Sequence, residues 1–359
     1  MAKDFTLNTN LAPQVDRVRP VAQSAFIEKL DLMAGRINPP GMSPAFAVVP
    51  TDETQGNFIQ RPHFRAGGAA TRQDTTTTAS VDSVSKDMGY GLDPILEIIK
   101  GPEAWGKAQA RKGTAGDFAQ WFLDFALDAG QAVPAFLQKR FCEAGSAVAQ
   151  LDADHFLDRS GTSITYEDVM DAVNSWGDNS DRARSLLIST RQKKALQKFI
   201  VLGPTDPAAI APLLNPLSQE YNATGRIETL AGLRVLTYDG VYQDGSGNDY
   251  ALILATDTVG KPGCGVSYLA KLLRDMWNTV IGGLLDMEMS CVASNDFNTL
   301  VYTVLAEARA SVWFDKARFD STKVNPTAAY LADPANWTAD YVSAKELTVT
   351  CIASEGDAL

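Results

Sequence analysis

The feature that most constrains the fold is a long apolar helical stripe in the first half of the chain. Apolar side chains recur at spacings of three and four residues, namely Phe118, Trp121, Phe122, Phe125, Ala129, Val133, Phe136, Leu137 and Phe141. Thr114 and Asp117 form a capping box, and Lys139 and Arg140 suit the C-terminal end of the helix dipole. The pattern predicts a helix over 114–150, about 55 Å long at ~1.5 Å per residue. Pro134 should kink it, because proline deletes the hydrogen bond to Gly130.

The region from about 160 to 260 has the alternating pattern of a compact α/β or α+β domain. Thr165 and Asp168 form a second capping box, which opens a helix that Gly177-Asp178-Asn179 ends. The chain then predicts a buried strand at 185–189 and a short basic helix at 191–199. Further strands are predicted at 226–230, 233–238, 250–255 and 347–352, with a turn at Ala231-Gly232. Between 269 and 289 helix and strand both remain open.

The residues before the long helix predict extensions rather than a core. Residues 1–50 have the prolines of an extended arm, with one helical stretch near 21–34. Residues 51–90 predict a long polar hairpin, with Phe58 to Phe64 on the first limb, a turn at Gly67-Gly68 and a second limb from Thr75. Asp93-Pro94 should start a short helix that Gly101-Pro102 ends.

A basic stripe lies on the predicted hairpin. No acid occurs between Glu53 and Asp74, whereas Arg61, His63, Arg65 and Arg72 all fall there. Positions 61, 63 and 65 of a strand share one face. Two interpretations remain open. The stripe is either a solvated face or a docking surface for an acidic patch, most simply on another copy of the chain.

Composition excludes several classes of function. The 359 residues carry 43 acids, 32 bases and only 2 histidines, for a formal net charge of -11. This balance argues against sequence-independent nucleic-acid binding, which needs clustered Lys and Arg. The four cysteines have no metal-ligand spacing and predict free thiols. There is no signal peptide, no apolar run of about 18 residues, and no phosphate-loop, dinucleotide, serine-elbow or zinc-helix motif. The sequence therefore predicts no catalytic residue, no cofactor and no membrane partner.

One cluster has ligands that suit a hard cation. Asp152, Asp154, His155 and Asp158 follow the long helix closely, and carboxylate oxygens are the ligands of Ca²⁺. The order of acids and the central glycine of an EF-hand are absent. A charged helix terminus or loop is the alternative interpretation.

In its order of elements the chain resembles the major capsid proteins of tailed bacteriophages, which have the Hong Kong 97-like shell fold. Four stretches carry the resemblance. They are the hairpin with Tyr90-Gly91-Leu92-Asp93-Pro94 and the long helix, residues 164–172 with Gly177-Asp178 and the strand 186–189, residues 229–236, and Asn325-Pro326-Thr327 through Asn336-Trp337 to 347–349. The segment 265–320 and Pro134 depart from the family pattern.

The resemblance implies an α+β capsid fold with five parts. These are an N-terminal arm (1–50), an extended β-hairpin loop (51–90), a peripheral domain with the spine helix (91–160), an axial domain (161–265), and a return to the peripheral domain ending in a strand (266–359). It also implies a structural subunit and not an enzyme. Copies would assemble as hexamers and pentamers into an icosahedral shell around double-stranded DNA, without binding it specifically. Arg61, Arg65 and Arg72 would then contact the next subunit.

Other partners follow from the same resemblance. We expect a separate scaffolding protein, because the arm leaves no room for a scaffolding segment and the sequence starts at Met1 without a removable leader. A portal protein is expected too, with a decoration protein as a further option. The location implied is the virion capsid, assembled in the host bacterial cytoplasm. An encapsulin-type nanocompartment is the nearest alternative. From another class, a cytosolic metal-assisted hydrolase would use the Asp152–Asp158 cluster.

Overall fold

A computed structural model gives the arrangement of the chain from Ile37 to Glu355. The residues that it describes are 37–51, 54–55, 58–64, 88–106, 115–202, 227–238, 240–269, 278–281, 285–293, 300–320, 322–339 and 343–355. The helix predicted at 21–34 and the turn predicted at Gly67-Gly68 lie outside them.

Runs of strands, with four α-helices between them, make up the described chain. The helices, in chain order, are α1 Ala115–Ala149, α2 Tyr166–Asn174, α3 Thr190–Leu202 and α4 Ala328–Ala332. The strands are β1 Phe46–Thr51, β2 Thr54–Gln55, β3 Phe58–Phe64, β4 Met88–Pro94, β5 Leu96–Gly106, β6 Phe156–Ser163, β7 Ala183–Ile188, β8 Thr229–Leu230, β9 Leu233–Thr237, β10 Asn248–Ala255, β11 Cys264–Leu269, β12 Asn278–Ile281, β13 Leu285–Ala293, β14 Leu300–Phe314, β15 Ala317–Phe319, β16 Trp337–Ala339 and β17 Val349–Glu355.

The first large sheet is organised around β14, its longest strand. One edge of β14 pairs with β13 along its N-terminal part and with β11 near its end. β5 pairs with the opposite edge, since Ala310 has both Tyr268 of β11 and Leu96 of β5 as partners. β1 lies parallel to β11, and β12 extends the sheet beyond β13. The region 269–289, for which the sequence allows both helix and strand, is therefore strand wherever it is described.

The second large sheet has the order β6-β17-β10-β7-β9-β8. β17 runs parallel to β6 and β7 parallel to β9, whereas β10 is antiparallel to both of its neighbours. Its strands confirm those predicted at 185–189, 226–230, 233–238, 250–255 and 347–352. The predicted turn is also confirmed, because Ala231 and Gly232 have φ of 52° and 79°, as a two-residue hairpin turn of this kind requires.

Both faces of the second sheet are buried. Along β10, Leu252 and Leu254 belong to the core shared with α1, whereas Ala251, Ile253 and Ala255 belong to the core under α2 and α3. The alternation follows from the two-residue period of a strand. Each fully buried Leu or Ile contributes roughly 1.5–3 kcal/mol, so the sheet is held firmly between the two layers.

The long helix is confirmed. α1 has 35 residues, or about 52 Å at ~1.5 Å per residue, and contains Pro134. Thr114 of the predicted capping box lies outside the described residues. From Phe125 onwards most of the predicted stripe is buried, including Val133 and Leu137. Phe141 stacks on Phe314 of β14 with ring centroids 5.0 Å apart. Because α1 also packs on β10 and β17, one helix serves both sheets.

The second capping box is confirmed in detail. The Asp168 backbone N–H donates to Thr165 Oγ1 (3.3 Å), and the Thr165 N–H donates to Asp168 Oδ2 (2.8 Å). The predicted basic helix is confirmed as α3.

One prediction before α1 is corrected, and another is tested only in part. The segment predicted as a short helix from Asp93 is β5, which pairs with β14 over a sequence distance of about two hundred residues. Leu96 and Ile98 are buried and Glu97 and Ile99 are exposed, so the period is two. The hairpin's first limb, β3, is confirmed, but its described partner is β4, with Phe64 opposite Met88. A second limb from Thr75 lies outside the described residues.

Candidate assembly surface

The ribbon of β3 and β4 places one of the three predicted contact residues. Arg61 lies in the middle of β3, opposite Gly91 of β4. His63 is two residues further along the same strand, which puts both positions on one face of the ribbon. Arg65 and Arg72 lie outside the described residues. The structure therefore locates Arg61 on a paired strand and does not test whether the three arginines act together.

The root of this ribbon is fixed in the body of the protein. Asp93 is 3% exposed and Ile95 6%, where β4 passes into β5. Lys100 Nζ of β5 forms a 2.6 Å ion pair with Asp128 Oδ2 of α1. The hydrogen bond to Asp128 is the main reason why the pKa of Lys100 is raised. On the far side, the Glu97 N–H donates to Asn325 Oδ1 (3.2 Å). These contacts attach β5, which continues from the ribbon, to α1 and to Asn325.

Sequence reasoning missed apolar side chains on this surface. Ile99 of β5 is 61% exposed, and Val324 is 54% exposed beside Asn325. Around them lie ion-paired charges, including Arg309 Nη2 at 3.2 Å from Glu97 Oε1. Exposed apolar groups within a polar rim are typical of a protein contact. The residues Leu96-Glu97-Ile98-Ile99 have no two-residue alternation in the sequence that would have indicated this exposure.

The candidate cation ligands do not converge. Asp152 Oδ1 accepts from the Asp154 N–H (2.9 Å) and caps a short 3₁₀ turn. His155 points the other way, fully buried, with Nδ1 2.7 Å from Thr350 Oγ1. Asp158 accepts from Ser160, and these hydrogen bonds lower its pKa. No group of three metal-binding side chains occurs in the part of the chain that the structure describes. The charged-turn interpretation fits these contacts.

The cysteines are inert where they are described. Cys142, Cys264 and Cys351 are free and buried. Burial raises the pKa of each thiol, so the reactive thiolate is disfavoured. The prediction of free thiols is confirmed for these three.

A groove of about 960 Å³ lies between the 37–42 segment, α1 and β9. Two of its polar side chains donate to backbone carbonyls. Arg234 Nη1 donates to Asn38 O (2.7 Å), and Tyr238 Oη donates to Ala135 O (3.0 Å). We interpret the groove as a seam between structural layers. No helix among the described residues has the length and apolarity to cross a bilayer.

Comparison with known proteins connects this architecture to viral shells. No family model matches the sequence, and no curated protein is similar to it. Among solved structures, the capsid of Ralstonia phage GP4 aligns with 91% of this chain and 91% of its own, at 11% identity and a TM-score of 0.50. The capsid of cyanophage Pam1 aligns with 89% and 91%, at 10% identity and a TM-score of 0.51. An encapsulin of Synechococcus elongatus matches more weakly, at 9% identity, 87% and 85% coverage and a TM-score of 0.44.

These likenesses show the fold. The chain has the Hong Kong 97-like fold of tailed-phage capsid proteins, as the order of its sequence elements predicted.

Proposed function

We propose that this chain, with its Hong Kong 97-like fold, is the major capsid protein of a tailed bacteriophage. The single observation that carries the proposal is the alignment of nine-tenths of the chain with nine-tenths of phage capsid chains. The role is structural, not catalytic. In support, the only grouped ligands that the sequence suggested, at Asp152 to Asp158, are used by local turns and a buried hydrogen bond.

The finer parts of the proposal concern assembly. Copies form hexamers and pentamers, which close into an icosahedral shell around double-stranded DNA. A formal net charge of -11 per chain suits a shell wall that encloses DNA without binding it. Residues 1–50 and 51–90 reach neighbours, 91–160 and 266–359 form the peripheral domain, and 161–265 forms the axial domain. Scaffolding and portal proteins act in the host cytoplasm before the virion is complete.

The ribbon supports a contact between copies. Its root is held by buried residues and by the Lys100–Asp128 ion pair, and Arg61 lies on β3, opposite Gly91. Arg61, Arg65 and Arg72 contact an acidic surface of the next subunit in this proposal. Many such contacts, closed by symmetry, give a long-lived shell even where each one is weak.

Light scattering on the full-length protein tests the proposal. The chain is expected to form megadalton particles, alone or when expressed with the scaffolding protein of its phage. A folded chain that stays at its own mass of 38.7 kDa in both cases contradicts it. Particles recovered from infected cells should contain double-stranded DNA. A protein cargo in place of DNA would identify an encapsulin-type compartment instead.

A further inference from the structure

The chain enters the described structure at Ile37, in a position that is firmly fixed. Ile37 is in helical conformation and 2% exposed, and its carbonyl accepts a hydrogen bond from Ser185 Oγ of β7. The carbonyl of the next residue, Asn38, accepts from Arg234 Nη1 of β9 (2.7 Å). The Asn38 side chain donates to Phe46 O (2.7 Å) and accepts from the Phe46 N–H (3.0 Å), next to β11. Contacts with three strands therefore fix the point from which the preceding residues leave the body of the protein.

Ile37 continues the apolar stripe of the helix predicted at 21–34. The other members, at spacings of three and four residues, are Ala22, Phe26, Leu30 and Met33. Residues at these spacings share one face of a helix, whereas Ser24, Glu28 and Asp31 fall on the opposite face. Ile37 belongs to the core shared with α1. A helix that runs back from Ile37 therefore turns its whole stripe towards the body of the same subunit.

The groove beside Ile37 offers an apolar surface to such a helix. It has a volume of about 960 Å³ and is bounded by the 37–42 segment, α1 and β9. Ala135 of α1 is exposed at its wall. Leu236 and Tyr238 of β9 pack on the core shared with α1 and yet remain only half-buried. Removing apolar surface of this kind from water is the main favourable contribution to an association.

The geometry favours an occupant from the same chain. From Ala22 to Ile37 the helix spans about 24 Å at ~1.5 Å per residue. It is continuous with the fixed residue, so no linker separates the stripe from the groove. To reach a second copy the helix has to break between Met33 and Ile37, which separates the buried Ile37 from the rest of its stripe.

We propose that residues 22–36 form an amphipathic helix whose apolar stripe packs into this groove of its own subunit. The N-terminal arm is then anchored in cis, and only the residues before Val21 are available to reach a neighbouring copy in a shell. The contact does not depend on the shell function, because a single unassembled chain contains both surfaces.

Disulfide cross-linking of the unassembled full chain tests the contact. One variant combines Met33→Cys on the stripe with Leu236→Cys in the groove. The matched control combines Asp31→Cys, on the opposite helix face, with the same Leu236→Cys. After mild oxidation with oxidised glutathione, the Met33 variant should give at least about tenfold more cross-linked peptide by mass spectrometry, because docking raises the effective concentration of the two thiols. The described native cysteines are buried, which keeps them from competing.

Isotope labelling identifies the chain that supplies the helix. Labelled and unlabelled chains of the Met33→Cys, Leu236→Cys variant are mixed before oxidation. A contact in cis gives cross-linked peptide pairs in which both peptides carry the same label. Pairs with one labelled and one unlabelled peptide would show that the groove holds the arm of another copy, and the proposal would be overturned.

Trypsin gives a second readout without introduced cysteines. Lys29 lies within the proposed helix, so docking protects it from cleavage. Phe26→Asp places a charge on the stripe and should speed cleavage after Lys29 by at least about tenfold, since proteolysis follows the population of the open form. Ser24→Asp adds the same charge on the opposite face and should leave the rate unchanged.

The outcomes separate this contact from the shell function. The contact is overturned if both cysteine variants cross-link equally or not at all, or if the unmodified chain is cut after Lys29 as fast as the Phe26→Asp variant. A docked helix in a chain that forms no particles supports the contact and overturns the shell function instead.

Discussion

Replacing Gly265 with alanine should detach β1 from the first sheet. An ideal Cβ at Gly265 would lie 2.0 Å from Ala47 O and 2.9 Å from Trp313 Cζ2. The first contact is with backbone of the parallel partner strand, which cannot rotate away. An ordinary separation of about 3 Å is restored only if β1 and β11 move apart by roughly 1 Å. Overpacking of this kind lowers stability by ~1–3 kcal/mol.

The backbone hydrogen bonds between β1 and β11 would be lost in part as well. β1 and β11 pair over Phe46 to Thr51, with Ala47 opposite Gly265. Loss of two or three ladder hydrogen bonds costs about 1 kcal/mol each. The two effects together lower the free energy of unfolding by about 3–6 kcal/mol, a large fraction of the ~5–15 kcal/mol that holds a typical protein folded. Urea denaturation of the unassembled chain, followed by tryptophan fluorescence, measures the loss.

Gly245→Ala is the matched control. Nothing lies within 4 Å of an ideal Cβ there, and its backbone is outside the left-handed region. Its unfolding free energy should stay within about 0.5 kcal/mol of the unmodified chain. If Gly265→Ala behaves like this control, the close approach of β1 to β11 is wrong.

Three further predictions concern buried charge and assembly. Arg182→Met removes a buried guanidinium that donates to three backbone carbonyls. The free energy of unfolding, measured in urea, should fall by ~2–4 kcal/mol. A loss below about 1 kcal/mol would count against that role. Burial raises the pKa of Glu143 despite its ion pair with Arg140. The stability of the unmodified chain should therefore decrease as the pH rises from below the ordinary pKa of a carboxyl group to above the raised pKa of Glu143. Glu143→Gln should lose less stability over that pH range, and equal pH profiles would contradict the assignment. Arg61→Glu with Arg65→Glu should abolish particles at physiological salt, and an unchanged yield by light scattering would refute the docking of the ribbon.

Local signals predicted the elements whose stability is decided locally. The capping box of Thr165 and Asp168 and the turn at Ala231-Gly232 form as the sequence indicates, since their partners are within four residues. The apolar run at 95–99 fits a helix and a strand equally well. It becomes a strand because β14, far along the chain, supplies the hydrogen bonds. The residues 95–99 themselves do not indicate which distant strand they will pair with.

The candidate surfaces divide in the same way. The basic stretch around Arg61 was visible as an absence of acids between Glu53 and Asp74. The strand that pairs with this stretch was not visible, because β4 begins more than twenty residues after the end of β3.

The long helix α1 connects the root of the ribbon with both sheets. An ideal Cβ at Gly145 of α1 would lie 2.8 Å from Leu252 of the second sheet and 3.3 Å from Phe314 of the first. The helix backbone at Gly145 therefore lies directly against one side chain from each sheet, with no side chain of its own between. The root of the ribbon is fixed to the first sheet and to α1 through Asp128. The same helix thus joins the root of the ribbon to the second sheet.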